Sequence, residues 1–167
     1  MNRHLISAGD LSRDDAVLIL DAGRVRQRGP VADVFARPAD AAVARIVGVE
    51  TIQPARVVAV ADGQSTVAVG TARLTAAAGA VPAECYACIR AEDVDLARGD
   101  APDGVNSLTG VVLDLLPEGA MVRVELDCGF PLTAVLTRQA CQALGVRPGD
   151  RVAALVRPEA VRLVPPG

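Results

Sequence analysis

Apolar and polar residues alternate with a period of two along most of the chain after residue 50. Short runs rich in Val, Leu and Ala are separated at close intervals by Gly, Pro and Asp, which is typical of a small antiparallel β-barrel or sandwich. In the run 121–126 (MVRVEL), apolar residues alternate with charged ones, so one face of that strand is predicted to meet solvent. The pattern predicts five strands in each of two stretches, 51–97 and 106–164, and the first strand of each is predicted over 56–60 and 110–115.

These two stretches are copies of one unit. The segment IRAEDVDL at 89–96 matches VRPEAVRL at 156–163, and ARVVAV at 55–60 resembles TGVVLD at 109–114. Both copies share the order of hairpin, gap, strand, Arg-x-Glu turn and closing strand, which supports a true repeat. The second copy also carries a short helix that Thr137 caps and Gly145 ends.

The first fifty residues follow a different pattern. The apolar run 16–21 and the returning run 24–27 predict a β-hairpin, and helical spacing then predicts two short helices ended by Pro38 and Gly48. This segment is too small to fold alone, so it is predicted to pack on another part of the protein. The predicted units are 1–49, 50–105 with a linker at its end, and 106–167.

Composition narrows the classes of function. The 167 residues are 51% hydrophobic and 22% charged, which suits a folded protein, and the core is aliphatic because aromatic residues make up only 2%. Every basic residue apart from one His is Arg; without Lys the chain cannot hold a standard P-loop or form a lysine Schiff base. A net charge of -3 and so few aromatic residues argue against nucleic-acid binding by a small β-barrel.

The titratable residues form no recognisable catalytic or metal-binding set. Cys85 and Cys88 have C-x-x-C spacing, but zinc needs two further ligands, and Cys128 and Cys141 are not spaced as a second pair. We therefore predict thiols in or near the core. The single His4 supports neither a catalytic triad nor a metal site. We recognise neither a signal peptide nor an apolar run of membrane-spanning length, which predicts a cytoplasmic protein with reduced thiols.

Two regions have the groups that an anion site needs. Arg90 and Arg157 open the tight turns before the closing strands, and a guanidinium can bind an oxyanion through two hydrogen bonds. The alternative is an ion pair with the Glu two residues later, or a solvated turn. Asn106 and Ser107 offer an amide, a hydroxyl and backbone N–H groups that can form an anion-binding nest. The alternative there is an ordinary polar strand start.

Several segments carry a resemblance to a known family. The end of the ATPase domain of ABC importers resembles residues 18–25 (LILDAGRV), 27–38 (QRGPVADVFARP) and 44–50 (ARIVGVE). Residues 51–167 resemble tandem transport-associated (TOBE) OB-type domains. The second unit, with 126–132 (LDCGFPL) and 144–150 (LGVRPGD), is similar to the Mop-type domain of molybdate/tungstate importer ATPases.

The resemblance implies a mainly β fold. It consists of two small OB-like antiparallel barrels in tandem, preceded by a β-hairpin and two short helices from the end of an ABC ATPase domain. The implied function is a regulatory module that senses molybdate or tungstate and dimerises, without its own ATP-hydrolysing motor. The implied partners are the ABC ATPase domain, the membrane permease subunits and a second copy in a homodimer. The implied location is the cytoplasm, including the cytoplasmic face of the inner membrane.

The chain departs from the family pattern at the anion site. Where the family has Ser-Ala-Arg-Asn, this chain has DGVN at 103–106, so only Asn106 matches, and a carboxylate at Asp103 would repel an anion. Arg157 stands where the family has Lys and keeps the charge. The candidate oxyanion residues are therefore Asn106, Ser107 and Arg157.

Two further departures affect the predicted function. His4 lies at about the distance from the hairpin where the family has its switch histidine, although Leu5 follows it in place of Asp. Asp103, together with Val105 in place of Arg, favours an alternative, a structural module that dimerises a transporter ATPase without binding an anion.

We predict that the purified 167-residue chain does not hydrolyse ATP, because it has no Lys to contact the β- and γ-phosphates. Phosphate release from ATP by the chain alone, compared with a buffer blank, measures this. Turnover that persists at constant specific activity through further purification would contradict the prediction.

Overall fold

The computed structural model describes residues 15–77, 79–98 and 104–167, and over these residues the protein is mainly β. The first segment comprises β1 (Ala16–Asp21), β2 (Arg24–Pro30), α1 (Val31–Ala36) and α2 (Ala41–Ile46). The first repeat unit comprises β3 (Thr51–Ala61), β4 (Gln64–Val69), β5 (Ala72–Ala77), β6 (Glu84–Ile89), a 3₁₀ turn (Ala91–Asp93) and β7 (Val94–Ala97). The second comprises β8 (Asn106–Glu118), β9 (Met121–Asp127), β10 (Pro131–Thr137), α3 (Arg138–Leu144), β11 (Arg151–Val156), a 3₁₀ turn (Pro158–Ala160) and β12 (Arg162–Val164). Within the described ranges no helix is long and apolar enough to cross a membrane.

The hairpin and helices of the first segment pack on the first repeat unit. Helix α2 begins after Asp40, whose side chain accepts a hydrogen bond from Val43 N at 2.8 Å. Val34 of α1 and Val43 of α2 are buried, and they belong to a cluster with Cys88 of β6 and Val164 of β12. The prediction that this segment packs on another part of the protein is confirmed.

The closing strand of each repeat unit joins the sheet of the other unit. One sheet has the strand order β12-β6-β3-β4-β5, and the other has the order β10-β9-β8-β11-β7. Leu163 of β12 lies opposite Ala87 of β6, and Val156 of β11 lies opposite Val94 of β7; both pairings are antiparallel. The two OB-like barrels are thus two curled antiparallel sheets that exchange their last strands.

A continuous aliphatic core lies between the two sheets. Leu74 and Ile89 from the first unit belong to the same buried cluster as Leu126 and Leu132 from the second. Burying a side chain of this size stabilises a fold by about 1.5–3 kcal/mol, so the stability of each sheet depends on residues of the other. The boundaries 1–49, 50–105 and 106–167 remain predictions. They divide the sequence into units, whereas each five-stranded sheet contains the closing strand of the other repeat unit.

The turn after β4 and the turn after β9 touch each other. Thr71 N donates a hydrogen bond to Gly129 O at 3.2 Å. Gly129 has a φ of +85°, and a Cβ atom at this position would collide with the Thr71 hydroxyl. The close approach of the two turns therefore requires glycine at position 129 both for its backbone conformation and for its lack of a side chain.

The long strands β3 and β8 begin earlier than predicted. β3 begins at Thr51 instead of Arg56, and β8 begins at Asn106 instead of Gly110. These polar starting residues bond across to the other unit: Thr51 Oγ1 accepts a hydrogen bond from Thr133 N at 3.1 Å. Hydrophobic periodicity along one strand does not report such long-range bonds, which is why the prediction began both strands too late.

The Gly129→Ala variant is expected to lower the free energy of unfolding by about 2–5 kcal/mol, because left-handed backbone costs an L residue about 1–2 kcal/mol and crowding adds about 1–3 kcal/mol. Urea unfolding followed by circular dichroism measures the change. Gly63→Ala is the matched control, because Gly63 has a φ of +73° with nothing within 4 Å of its added Cβ. Equal destabilisation by both variants would show that the contact between the turns adds nothing.

Candidate functional site

A cleft of about 610 Å³ lies where α1 meets the 3₁₀ turns of both repeat units. Arg162 at the start of β12 pairs with Cys88 near the end of β6, so the turn before β12 and the turn after β6 lie side by side. Phe35 of α1 and Cys88 contribute to an apolar wall. The charged residues that line the cleft are Arg90, Glu92, Asp93, Arg157, Glu159 and Arg162.

The turn of the first unit, at Arg90 and Ala91, is bonded to the first segment. Arg90 Nη2 donates a hydrogen bond to the backbone oxygen of Phe35 at 2.8 Å, at the end of α1. Ala91 N donates a hydrogen bond to Glu50 Oε2 at 3.1 Å. Two hydrogen bonds therefore hold this turn, one to helix α1 and one to Glu50, the residue before β3.

The turn of the second unit, at Arg157 and Pro158, has neither bond. The Arg157 side chain is exposed, and no described residue forms a hydrogen bond or ion pair with its guanidinium. Pro158 occupies the position equivalent to Ala91 and has no N–H to donate. Among the described residues, neither Arg90 nor Arg157 forms an ion pair with the Glu two residues later, so Arg157 remains available to a ligand.

Asn106 is engaged within the protein. Its Oδ1 accepts a hydrogen bond from Thr75 N at 2.6 Å, and its Nδ2 donates to Thr75 O at 2.8 Å and to Val156 O at 3.0 Å. Asn106 thus links β8 to β5 of the first unit and to β11 of its own unit. It lies opposite Val156, one residue before Arg157, but it is not among the described residues that line the cleft.

The structure does not bring all the predicted site residues together. Ser107 is exposed on β8, opposite Leu155, and is likewise absent from the described lining of the cleft. Val105 lies in the bend just before β8. His4 and Asp103 lie outside the described residues. The predicted set is therefore represented in the cleft by Arg157, while Asn106 and Ser107 lie on the neighbouring strand.

The cysteines have the properties of core residues. Cys85, Cys88 and Cys128 are buried, and no cysteine forms a disulfide in the described ranges. Burial raises the pKa of Cys88 to about 12 and that of Cys128 to about 11. These thiols stay protonated near neutral pH, whereas metal binding and redox chemistry need thiolates. The described residues contain no group of three or more His, Cys, Asp or Glu side chains suited to a metal ion.

Sequence reasoning missed two features of this cleft. It identified Arg90 and Arg157 as equivalent turn residues, but not that the two turns share one cleft with Phe35, because their proximity results from the strand exchange. It also missed Arg162, which begins the closing strand. The repeated Arg-x-Glu motif was the available signal. It marks two equivalent turns, each of which precedes a short closing strand.

Comparisons with known proteins extend this description. Residues 102–163 match the TOBE domain family. The chain is 32% identical over 161 residues to the molybdate/tungstate import ATP-binding protein WtpC of Pyrococcus horikoshii, covering 93% of this chain and 44% of WtpC. It is 34% identical over 155 residues to the sulfate/thiosulfate import ATP-binding protein CysA of Burkholderia mallei, covering 90% and 41%. The molybdenum-pterin-binding protein MopA of Rhodobacter capsulatus is 36% identical over 114 residues, covering 65% and 43%.

The chain spans less than half the length of each of these relatives. A solved structure of the cytoplasmic molybdate-binding protein ModG, with molybdate bound, matches with a TM-score of 0.60 and 24% identity over 71% of this chain and 98% of ModG. At this identity the likeness concerns the fold, and it agrees with two OB-type barrels in tandem. The predicted resemblance to the C-terminal part of molybdate/tungstate importer ATPases is confirmed.

The Asn106→Ala variant is expected to lower the free energy of unfolding by about 2–3 kcal/mol, because it leaves a backbone N–H and two carbonyl oxygens without partners in a part-buried site. Denaturant unfolding measures the change. Ser107→Ala is the matched control and is expected to change stability by less than about 0.5 kcal/mol, since Ser107 is exposed. A variant as stable as the wild type would show that the Asn106 amide is dispensable to the fold.

Proposed function

We propose that this protein is a regulatory, oxyanion-sensing and dimerising module of an ABC importer ATPase, which the match of residues 102–163 to the TOBE domain family supports. The proposed ligand is molybdate or tungstate. The observation that carries the proposal is the guanidinium of Arg157, which lines a cleft beside its repeat counterpart Arg90 and is engaged by no described residue. This cleft adjoins the segment that resembles the end of the ATPase domain.

Arginine chemistry and the similar proteins both favour an oxyanion. A guanidinium presents a planar fork of donors that matches the oxygens of such an anion, and its bonds to charged acceptors are about twice as strong as neutral ones. WtpC is named for molybdate and tungstate, and CysA for sulfate and thiosulfate. Doubly charged oxyanions are therefore the ligand class that we propose for the cleft.

Asn106 and Ser107 have secondary roles in this proposal. The Asn106 amide already makes three hydrogen bonds, so a direct bond to an anion would replace one of them. Asn106 instead positions the end of β11, which leads directly into Arg157. The Ser107 hydroxyl is exposed. It can donate a hydrogen bond to an anion that extends beyond the cleft or that is shared with a second copy.

The proposed partners follow from the exposed face of the hairpin. Leu18, Leu20 and Val25 are 52%, 60% and 57% exposed, and they give β1 and β2 an apolar outer face. We assign this face to an ABC ATPase domain outside these 167 residues, whether in the same polypeptide or in another, and we assign ATP hydrolysis to that domain. Through it the module would reach the permease subunits at the cytoplasmic face of the inner membrane. We propose no nucleic-acid partner.

The second candidate function is a dimerising structural module that binds no anion. Three observations favour it. Glu92, Asp93 and Glu159 balance the three arginines of the cleft, the Asn106 amide is fully engaged, and Val105 replaces the family's Arg. These features weaken the attraction of an anion without affecting the barrels.

Isothermal titration calorimetry is expected to show saturable tungstate binding by the wild type and at least about tenfold weaker binding by Arg157→Ala, since a hydrogen bond to a charged group contributes about 1.5–3 kcal/mol. Arg56→Ala is the matched control. It removes an equal charge from an exposed ion pair with Glu84 that is not part of the cleft, and it is expected to bind as the wild type does.

Two outcomes decide between the candidate functions. Titrations with molybdate and sulfate under the same conditions rank the anions. No binding heat from any of the three at millimolar concentration, with a stable dimer in sedimentation experiments, would favour the structural module. Binding that Arg157→Ala leaves unchanged would move the anion site away from the cleft.

A further inference from the structure

We propose that Arg90 is a latch between the barrels and helix α1, and that an oxyanion in the cleft opens this latch. The inference rests on the proposed anion site at Arg157. In the structure, Arg90 binds the backbone oxygen of Phe35; with an anion at Arg157, Arg90 turns to the anion and releases Phe35. Anion binding would then change the attachment of the segment that resembles the end of an ATPase domain.

The latch bond gives a partner to a carbonyl group in the last turn of α1. Two further bonds hold this end: Arg37 N donates to Asp33 O at 2.8 Å, and Gln27 Nε2 donates to Arg37 O at 2.9 Å. The last four carbonyl groups of an α-helix have no partner within the helix, and Phe35 lies in the last turn of α1, which has only six residues. Arg90 Nη2 supplies the missing donor at 2.8 Å. Within α1, Val34 is the one fully buried side chain. A helix this short is not stable alone, so the loss of this contact is expected to loosen its last turn.

The two turns have different roles because of one sequence difference. In the first turn, Ala91 N–H binds the Glu50 carboxylate and keeps the backbone of the turn in place while the Arg90 side chain moves. In the second turn, Pro158 has no N–H, and Arg157 has no partner among the described residues. The first turn is thus an anchored coupling element, and the second is the sensing element.

Competition for Arg90 is expected from its chemistry. Arg90, Arg157 and Phe35 line the same cleft, so a dianion bound at Arg157 lies within the space that the Arg90 side chain also borders. A guanidinium bonds more strongly to a charged oxygen than to a neutral carbonyl. The coupling is reciprocal, so whatever frees Arg90 from Phe35 makes it available to the anion.

Hydrogen exchange of the whole chain, read in peptides that cover residues 31–37, tests the latch with sodium tungstate as the probe. In the wild type, tungstate is expected to speed exchange in this segment by about fivefold or more. A fivefold change corresponds to a decrease of about 1 kcal/mol in the free energy of local opening. In Arg90→Ala, exchange is expected to be fast already and unaffected by tungstate, with binding about tenfold weaker for lack of the second guanidinium. Arg90→Lys is expected to restore slow exchange in part, and Arg56→Ala to behave as the wild type.

The possible failures are distinguishable. If tungstate binds the wild type but exchange in residues 31–37 stays the same or slows, the proposal that an anion opens the latch is wrong, while the proposed anion site stands. If Arg90→Ala without anion exchanges as slowly as the wild type, the latch itself is wrong. If tungstate does not bind the wild type, the proposed function and the opening of the latch both fail. Thermal unfolding of each variant shows that the barrels remain folded.

Discussion

The exchange of closing strands is the constraint on which the rest of this structure depends. β12 completes the sheet of the first unit and β7 extends the sheet of the second, so hydrogen bonds of both sheets run between the units. The end of β7 is fixed by Arg98, which donates hydrogen bonds to Leu144 O at 3.0 Å and to Asp150 Oδ2 at 2.7 Å beside helix α3. Arg98 and the Arg147 backbone hold the pKa of the Asp150 carboxyl below its usual range, so this link persists at neutral pH.

The cleft is a direct result of this exchange. A closing strand that returned to its own sheet would carry its turn to its own barrel, and the two arginine turns would lie apart. Because β12 pairs with β6, the turn that precedes β12 meets the turn that follows β6. Helices α1 and α2 pack on the same region through Val164 and Cys88. Three parts of the chain that are distant in sequence thereby share one surface.

The local structure was largely predictable from the sequence, and the long-range structure was not. Alternating residues such as those at 121–126 identified the strands, and the Arg-x-Glu repeat identified equivalent turns, because both signals arise between neighbours in the chain. Strand exchange leaves no comparable signal, since β12 has the same pattern whichever sheet it joins. For the same reason Asn106 was predicted as an anion ligand: the sequence does not distinguish a polar strand start that faces solvent from one that forms a part-buried link to Thr75.

The charges of the cleft determine how it can hold an anion. Of the described residues, three arginines and three carboxylates line it, so their summed charge is near zero and their long-range attraction for an anion is small. Any affinity must then come from short, directional hydrogen bonds made by guanidinium groups with no stronger partner. The guanidinium of Arg157 has no partner among the described residues and can bond to an anion directly. The guanidinium of Arg90 must first break its bond to the Phe35 carbonyl. In a more basic cleft an anion would bind whether or not Arg90 moved, whereas in a neutral one the proposed need for a second guanidinium would make binding depend on the release of the Phe35 carbonyl.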